Sequence, residues 1–298
     1  MTRRIAITSR SNERLKAVRR LRGARSEASV VVDGYRQLRS ALDGGAHIVD
    51  VFAAPELYLG GDDEALVGRA EALGARVYEL GREAFLSISL GVRPDGLLAV
   101  VVKPPTRIRG HAAPPGGLVV VADGIERPGN LGTLVRTACA AGADALVLSD
   151  GRTDLFHAEA VQAAVGALFH LPLAVAGAAE ALAWVRSMGA RVIVATPEAE
   201  RPYSAAAYSG ATAVVVGNER YGVSRVWRDA ADDLVAIPMA SGADSLNVAV
   251  AAGVILFEAT RQRATPAMSR CQAPGHGSTG QARAEVPAYT ANAPARPR

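Results

Sequence analysis

Three segments that follow predicted strands concentrate polar side chains in the C-terminal half of the chain. They read ERPGNLGTLVRT, GNERYGVS and MASGADSLNVAV, and they begin at Glu126, Gly217 and Met239. Glycine lets the backbone approach a ligand closely, and Asn, Ser and free backbone groups can hydrogen-bond a planar base or a ribose. Because ligands of open parallel sheets bind outside the carboxyl ends of the strands, these segments predict a binding site.

Each segment also has a purely structural interpretation. Pro128 to Asn130 could be a turn with a helix N-cap, GNE could be a tight turn, and Asp244 or Ser245 could cap the last helix. Taken alone, none of the three segments distinguishes a helix cap from a binding site. Their occurrence in this order at three strand ends of one domain favours a site.

Signatures of several other chemistries are missing from the sequence. No G-x-G-x-x-G follows a strand, and there is no P-loop, no G-x-S-x-G and no H-E-x-x-H. The two cysteines, Cys139 and Cys271, lie far apart and give neither a disulfide framework nor zinc spacing. We therefore expect no metal.

The order of the predicted elements indicates an α/β protein. Residues 1–102 are predicted to form a smaller α/β domain, in which strands and helices alternate from about residue 30 to residue 102. A Pro- and Gly-rich stretch at 103–117 is predicted to be a linker, and a second alternation fills 118–263. Apolar strands separated by helices predict a parallel sheet covered on both faces. The remainder, 264–298, lacks periodicity and is predicted to be disordered.

The length, charge and hydropathy of the chain limit where the protein can reside and what it can bind. The chain has 298 residues, a net charge of +4, and no apolar run of the ~18 residues that a membrane span needs. The basic N-terminus has no apolar segment behind it, so we expect a cytoplasmic protein. The helix predicted over Ser9 to Arg25 should bury Leu15, Val18 and Leu21, and its arginines form either a solvated face or a surface that contacts phosphates.

The three polar segments resemble the three motifs of the SpoU (TrmH-like) branch of the SPOUT methyltransferases, over most of 118–263. The segment from about residue 8 to residue 102 is similar, more loosely, to the RNA-binding α/β domain that precedes the catalytic domain in many members and is related to small ribosomal proteins. The resemblance implies a deep trefoil knot in the C-terminal parallel sheet, a homodimer, S-adenosylmethionine as the methyl donor, and transfer to a ribose 2′-hydroxyl of RNA.

The same resemblance implies roles for particular residues. Arg136 would bind a phosphate and stabilise developing negative charge, since a guanidinium stays protonated. Asn130 would orient Arg136 or the ribose, and Glu219 would pair with Arg136 or with the first motif's backbone. Ser245 and Asn247 would lie near the ribose, with Ser245 also capping the last helix.

Two further sets of residues are implied as ligand contacts. The residues implied to hold the cofactor are Thr196, Gly217, Ile237, Met239 and Leu246. Those expected to bind RNA are Arg10, Asn12, Lys16, Arg19 and Arg20. The sequence departs from the family at Gln162 and Ala164, where Arg and Ser are usual, so a phosphate contact of that helix is expected to be lost.

Several functions stay open at this point. The favoured one is 2′-O-methylation of ribosomal RNA, either as housekeeping modification or as antibiotic self-resistance. The alternatives are a tRNA 2′-O-methyltransferase, a non-catalytic RNA-binding protein and a small-molecule methyltransferase. The last of these leaves the basic N-terminal segment without a role.

Overall fold

A computed structural model describes residues 4–23, 28–91, 93–108, 116–240 and 245–264. Within these ranges the chain forms two β-sheets, each covered by helices. Most of the predicted tail, from residue 265, and residues 109–115 of the predicted linker lie outside the described residues.

The N-terminal sheet is mixed. Its strands run in the order β1-β4-β3-β5-β2, with β1 and β3 parallel to β4 and with β5 antiparallel to β3 and β2. The strands are β1 (Ile5–Ile7), β2 (Ser29–Asp33), β3 (Ile48–Ala53), β4 (Arg76–Leu80) and β5 (Leu97–Val102). Four helices accompany them: α1 (Glu13–Gly23), α2 (Tyr35–Asp43), α3 (Asp63–Ala72) and α4 (Arg82–Leu86).

Helix α1 has the predicted amphipathic arrangement. The side chain of Asn12 accepts a hydrogen bond from the Arg14 backbone N–H at 2.8 Å, as an N-cap residue does. Leu15 and Val18 are buried, and Leu21 packs against the same core. The helix therefore turns its apolar side to the sheet and its basic residues outward.

The C-terminal sheet is entirely parallel, which confirms the predicted parallel sheet. Its strand order is β11-β9-β10-β6-β7-β8. The strands are β6 (Leu118–Asp123), β7 (Ala145–Ser149), β8 (Leu173–Ala176), β9 (Arg191–Ala195), β10 (Thr212–Val216) and β11 (Asp233–Val235). The central strands β6 and β10 are buried along their whole length, as expected for strands covered by helices on both faces.

Five helices cover this sheet: α5 (Pro128–Ala140), α6 (Ala158–Ala164), α7 (Ala178–Ser187), α8 (Arg225–Asp229) and α9 (Val248–Ala264). Helices α5 and α6 approach so closely at Gly132 that a Cβ there would lie 2.1 Å from the carbonyl oxygen of Ala160. Helix α6 ends at Ala164 because Val165 and Gly166 both have left-handed backbone conformations, with φ of 49° and 85°.

The two sheets are joined by direct packing. Buried residues of α2, such as Leu38 and Leu42, share one hydrophobic cluster with Leu168 and with helix α9. The Oγ of Ser40 lies 3.0 Å from the Nε2 of His170, across the same contact. The described part of the predicted linker is also attached, since the carbonyl of Thr106 accepts a hydrogen bond from the backbone N–H of Val175 at 2.8 Å.

Among the described residues, every helix is too short or too polar to cross a bilayer.

Candidate functional site

Asn130, Glu219 and Asn247 form a chain of side-chain hydrogen bonds at the carboxyl edge of the C-terminal sheet. Asn130 lies in the first turn of α5, which follows β6, and Glu219 lies in the loop after β10. The Nδ2 of Asn130 donates to the Glu219 carboxylate, and the Nδ2 of Asn247 donates to the Oδ1 of Asn130 at 2.9 Å. Three residues from the three polar segments are therefore brought together.

Asn247 also begins helix α9. Its Oδ1 accepts a hydrogen bond from the Ala249 backbone N–H at 3.0 Å, and the helix starts at Val248. The expectation that Ser245 caps this helix is wrong, because the cap geometry is satisfied by Asn247, which directly precedes the helix. Asp244, the other candidate cap, lies outside the described residues. Ser245 is exposed and lines an adjoining pocket.

The loop that carries Glu219 is fixed by a buried side chain. The Nδ2 of Asn218 donates to the Gly124 carbonyl at 2.9 Å, and its Oδ1 accepts from the backbone N–H groups of Arg220 and Tyr221 at 2.8 and 3.1 Å. A Cβ on Gly217 would lie 2.5 Å from the backbone of Gly222, so this position requires glycine. The tight-turn interpretation of GNE is therefore correct, and the turn presents Glu219 to Asn130.

A second buried network supports the same loop. The Oγ of Ser149 donates to Asp123 at 3.0 Å, and the indole N–H of Trp227 donates to that Oγ at 3.0 Å. The other carboxylate oxygen of Asp123 accepts from the Ser224 backbone N–H at 2.7 Å. These residues were not predicted from the sequence. A polar residue closing the apolar strand β6 and a tryptophan shortly after the GNE turn were the available signals.

A pocket of about 110 Å³ lies beside this cluster, at the carboxyl ends of β9 and β11. Its walls are Ala195, Thr196, Pro197, Val235, Ile237, Met239, Ser245, Leu246, Ala251 and Ile255. Four of the five residues expected to hold the cofactor, namely Thr196, Ile237, Met239 and Leu246, are among them. Gly217 is not, because it packs inside the turn that carries Glu219.

The walls of the pocket suit a ligand with a flat apolar part and polar edges. Ile237, Leu246 and Ile255 supply apolar surface. Among the described residues, the backbone N–H groups of Ile237 and Leu246 donate to no protein acceptor. Apolar walls with a few free backbone donors are typical of sites that bind a nucleoside.

Arg136 is placed apart from the Asn130 cluster. Positions six apart on a helix are rotated by about 240°, so Arg136 and Asn130 lie on different faces of α5. The partner of Glu219 is Asn130, and the expected pairing of Glu219 with Arg136 is not found in the part of the chain that the structure describes. Arg136 is exposed and has no hydrogen bond or ion pair to any described residue.

The residues expected to bind RNA lie on or next to α1. Several have protein partners: Arg10 pairs with Glu83, Lys16 lies 2.8 Å from Glu13, and Arg19 donates to the Arg10 carbonyl. The hydrogen bond from Lys16 lowers the pKa of Glu13. Asn12 caps the helix, and Arg20 is exposed. Part of the positive charge of this face is thus balanced within the protein.

The two positions that depart from the family pattern lie on α6. Gln162 is exposed and Ala164 is fully buried. In the described residues, no group of three or more His, Cys, Asp or Glu side chains is arranged to hold a metal ion.

Comparison with known proteins adds to this geometry. The family model described as the SpoU rRNA Methylase family matches residues 117–257. The 23S rRNA (guanosine-2′-O-)-methyltransferase RlmB of Ralstonia nicotianae is 36% identical over 65% of this chain and 80% of its own length. The 23S rRNA (uridine(2479)-2′-O)-methyltransferase of Streptomyces viridochromogenes is 31% identical over 86% of this chain and 92% of its own length.

Among solved structures, the AdoMet-bound rRNA methyltransferase from Sinorhizobium meliloti matches with a TM-score of 0.75. The two are 30% identical, and the match covers 86% of this chain and 97% of that one. With the clustered motif residues, these similarities lead to one assignment: the chain belongs to the SpoU rRNA methylase family.

Proposed function

We propose that this protein transfers a methyl group from S-adenosylmethionine to a ribose 2′-hydroxyl of ribosomal RNA. The observation that supports this most is the hydrogen-bonded chain of Asn130, Glu219 and Asn247 next to a pocket lined by Thr196, Ile237, Met239 and Leu246. The catalytic cluster and the proposed cofactor pocket share the short segment from Ser245 to Asn247, so a donor and an acceptor would meet there.

The residues of the pocket fit S-adenosylmethionine. The apolar side chains of Ile237, Met239 and Leu246 would hold the adenine. The backbone N–H groups of Ile237 and Leu246, which have no acceptor among the described residues, would donate to its polar edge. When bound, the sulfonium supplies an electrophilic methyl group. The work of the protein is then to hold the ribose oxygen in line and to stabilise charge as the proton leaves.

The amide groups of the cluster retain hydrogen-bonding capacity for a ribose. Each amide nitrogen carries two N–H donors, and one donor of Asn130 and one of Asn247 are used within the cluster. The second donor of each is available to the sugar. Glu219 fixes the Asn130 amide with its nitrogen toward the carboxylate and its oxygen toward Asn247. Asn130 and Asn247 would therefore position the 2′-hydroxyl.

Arg136 would act at the phosphate next to the target ribose. Its guanidinium is permanently charged, exposed and without an ion-pair partner among the described residues. A positive charge there would bind the phosphate and offset the negative charge that develops on the sugar oxygen.

Each region of the chain would have its own role in this function. Residues 1–102 would bind RNA in the manner of the small ribosomal proteins that they resemble, 103–117 would link them to the methyltransferase part, and 118–263 would carry the deep trefoil knot. Val250 and Phe257 are exposed on α9, two turns apart, and this apolar face supports a homodimer. We place the protein in the cytoplasm with its rRNA substrate.

Transfer of a tritiated methyl group from S-adenosylmethionine to purified rRNA tests the proposal. We expect incorporation at a position that resists alkaline cleavage, because a 2′-O-methyl group removes the attacking hydroxyl. Mapping of rRNA from cells with and without the gene would locate the nucleotide. RNA binding without incorporation would indicate a non-catalytic RNA-binding protein, and incorporation into tRNA alone would contradict the rRNA assignment.

The mapped nucleotide would also separate housekeeping modification from antibiotic self-resistance. A methylated position within a drug-binding region of the ribosome, together with drug tolerance of cells that carry the gene, would support resistance. The high arginine and alanine content of the chain is typical of GC-rich genomes, which is compatible with either role.

A further inference from the structure

The loop between β10 and α8 holds an aromatic side chain out in solvent. Tyr221 is 61% exposed, although tyrosine usually covers much of its ring against protein. Its backbone N–H is bound by the buried Asn218, and Gly222, with φ of +68°, turns the chain immediately afterwards. The exposed position of the ring is therefore imposed by an ordered turn.

Two arginines lie near this ring. The Cζ of Arg220 lies 5.3 Å from the Tyr221 ring centroid, and the Cζ of Arg152 lies 5.9 Å from it. Arg152 comes from the loop after β7 and is held by an ion pair with Glu126 at 3.0 Å. Guanidinium groups at these distances interact favourably with an aromatic ring, and they retain free N–H donors. We refer to Tyr221, Arg152 and Arg220 as the aromatic clamp.

The aromatic clamp adjoins the Asn130 cluster. Tyr221 is two positions after Glu219, whose carboxylate accepts the Asn130 amide, and Glu126 lies just before α5. The same turn, fixed by Asn218, thus carries both a residue of the cluster and the exposed ring. A strand of RNA with its ribose at Asn130 and Asn247 would bring a neighbouring nucleotide to the clamp.

We propose that the aromatic clamp binds an unpaired nucleotide of the substrate RNA beside the target ribose. The base stacks on Tyr221, and Arg152 and Arg220 contact the adjacent phosphates. An exposed ring close to two cations suits a nucleotide, since every base has a π-face and every linkage carries a negative charge. This inference rests on the proposed function and adds a binding site for the strand on either side of the reacting sugar.

Variants of Tyr221 test the stacking part. Tyr221→Ala should raise the KM for a 23S rRNA transcript and its dissociation constant by about tenfold, the effect of losing one stacked base. Tyr221→Phe should restore near wild-type values because the ring is retained. Val175→Ala, which shortens another exposed side chain, on β8, serves as the matched control and should leave both values unchanged. Calorimetry with S-adenosylmethionine should give the wild-type affinity in all variants.

Salt dependence tests the phosphate part. Arg152→Gln and Arg220→Gln should each reduce the slope of log K for the transcript against log salt by about one, whereas Tyr221→Ala should leave the slope unchanged. If Tyr221→Ala keeps the RNA affinity and KM of the wild-type protein, the inference about the clamp is overturned. Methyl transfer by the wild-type protein would in that case still uphold the proposed function. Weakened RNA binding by Tyr221→Ala in a protein that transfers no methyl group would uphold the clamp and overturn the proposed function.

Discussion

Gly166 and Ser40 meet where the two sheets pack together, so closely that a Cβ on Gly166 would lie 2.3 Å from the Cβ of Ser40. Real Cβ atoms do not approach to this distance. Gly44 makes a similar approach to the backbone of Phe169, where a Cβ would lie 2.5 Å from the carbonyl oxygen. Because these two positions lack side chains, α2 of the N-terminal sheet can pack closely against the segment that follows α6.

Gly166→Ala should lower the free energy of unfolding by about 2–5 kcal/mol, measured by urea denaturation. The left-handed backbone of Gly166 costs an alanine about 1–2 kcal/mol, and the collision with Ser40 adds about 1–3 kcal/mol. Gly189→Ala is the matched control, because Gly189 has φ of +66° with no heavy atom within 4 Å of a Cβ. Equal losses in the two variants would show that the contact with Ser40 is unimportant.

Two substitutions of Asn247 should separate its roles. Asn247→Ala removes the N-cap of α9, at a cost of about 1 kcal/mol, together with the hydrogen bond to Asn130. Asn247→Asp keeps a capping oxygen but has no N–H to donate, so it should retain stability and still lose about tenfold or more in methyl transfer. Full activity of Asn247→Asp in the tritium assay would contradict a positioning role for this amide.

Arg136→Ala should reduce methyl transfer by at least about 100-fold, as expected for the loss of a charge that stabilises a developing anion. Its affinity for S-adenosylmethionine and its unfolding midpoint should stay at the wild-type values, since Arg136 has no ion pair in the part of the chain that the structure describes. Turnover close to that of the wild-type protein would remove Arg136 from the mechanism.

Ala251→Phe should weaken binding of S-adenosylmethionine by about tenfold or more. Ala251 lines the small pocket from α9, and a benzyl group there would occupy much of its volume of about 110 Å³. Ala140→Phe, the same change at an exposed helical position on α5, is the control for general effects of the added ring. Unchanged calorimetric affinity in Ala251→Phe would place the cofactor elsewhere.

The stability of α9 should depend on pH through Glu258. Hydrogen bonds from Arg261 and Gln262 lower the pKa of Glu258 from its ordinary value of 4.5 to about 2. Because the folded pKa lies below the unfolded one, the stabilisation is complete above pH 4.5 and is lost as the pH falls toward 2. The difference in unfolding free energy between the wild-type protein and Glu258→Gln should therefore be constant near neutral pH and shrink below about pH 4.5. A constant difference down to pH 3 would contradict this assignment.

The sequence was most informative where the local pattern determines the structure. The valine runs of β6 and β10 predicted buried parallel strands, because strands covered on both faces need apolar side chains at every position. Strand β8 was missed, since its four residues include two alanines, which favour strands only weakly. The three-residue strand β1 was missed because so short a segment carries no alternation.

Contacts within the site were harder to predict. The three polar segments indicated a common edge of the sheet, and Asn130, Glu219 and Asn247 do meet there. Which side chains pair is decided by the loop geometry, since Asn130 and Asn247 are separated by 117 positions. The helix cap was assigned to Ser245 instead of Asn247 because both residue types cap helices equally well, and only the start of α9 distinguishes them.

The strand order of the C-terminal sheet also bears on how the protein is made. Its central pair joins Leu118 to Thr212, so β6 has no partner on that side until residue 216 has left the ribosome. Strands β6, β7 and β8 emerge first and form a half-sheet whose apolar edge stays unpaired until β10 (Thr212–Val216) has been synthesised. Long-range parallel pairing of this kind assembles slowly and exposes aggregation-prone surface. Chaperones that shield nascent chains should therefore raise the yield of native enzyme.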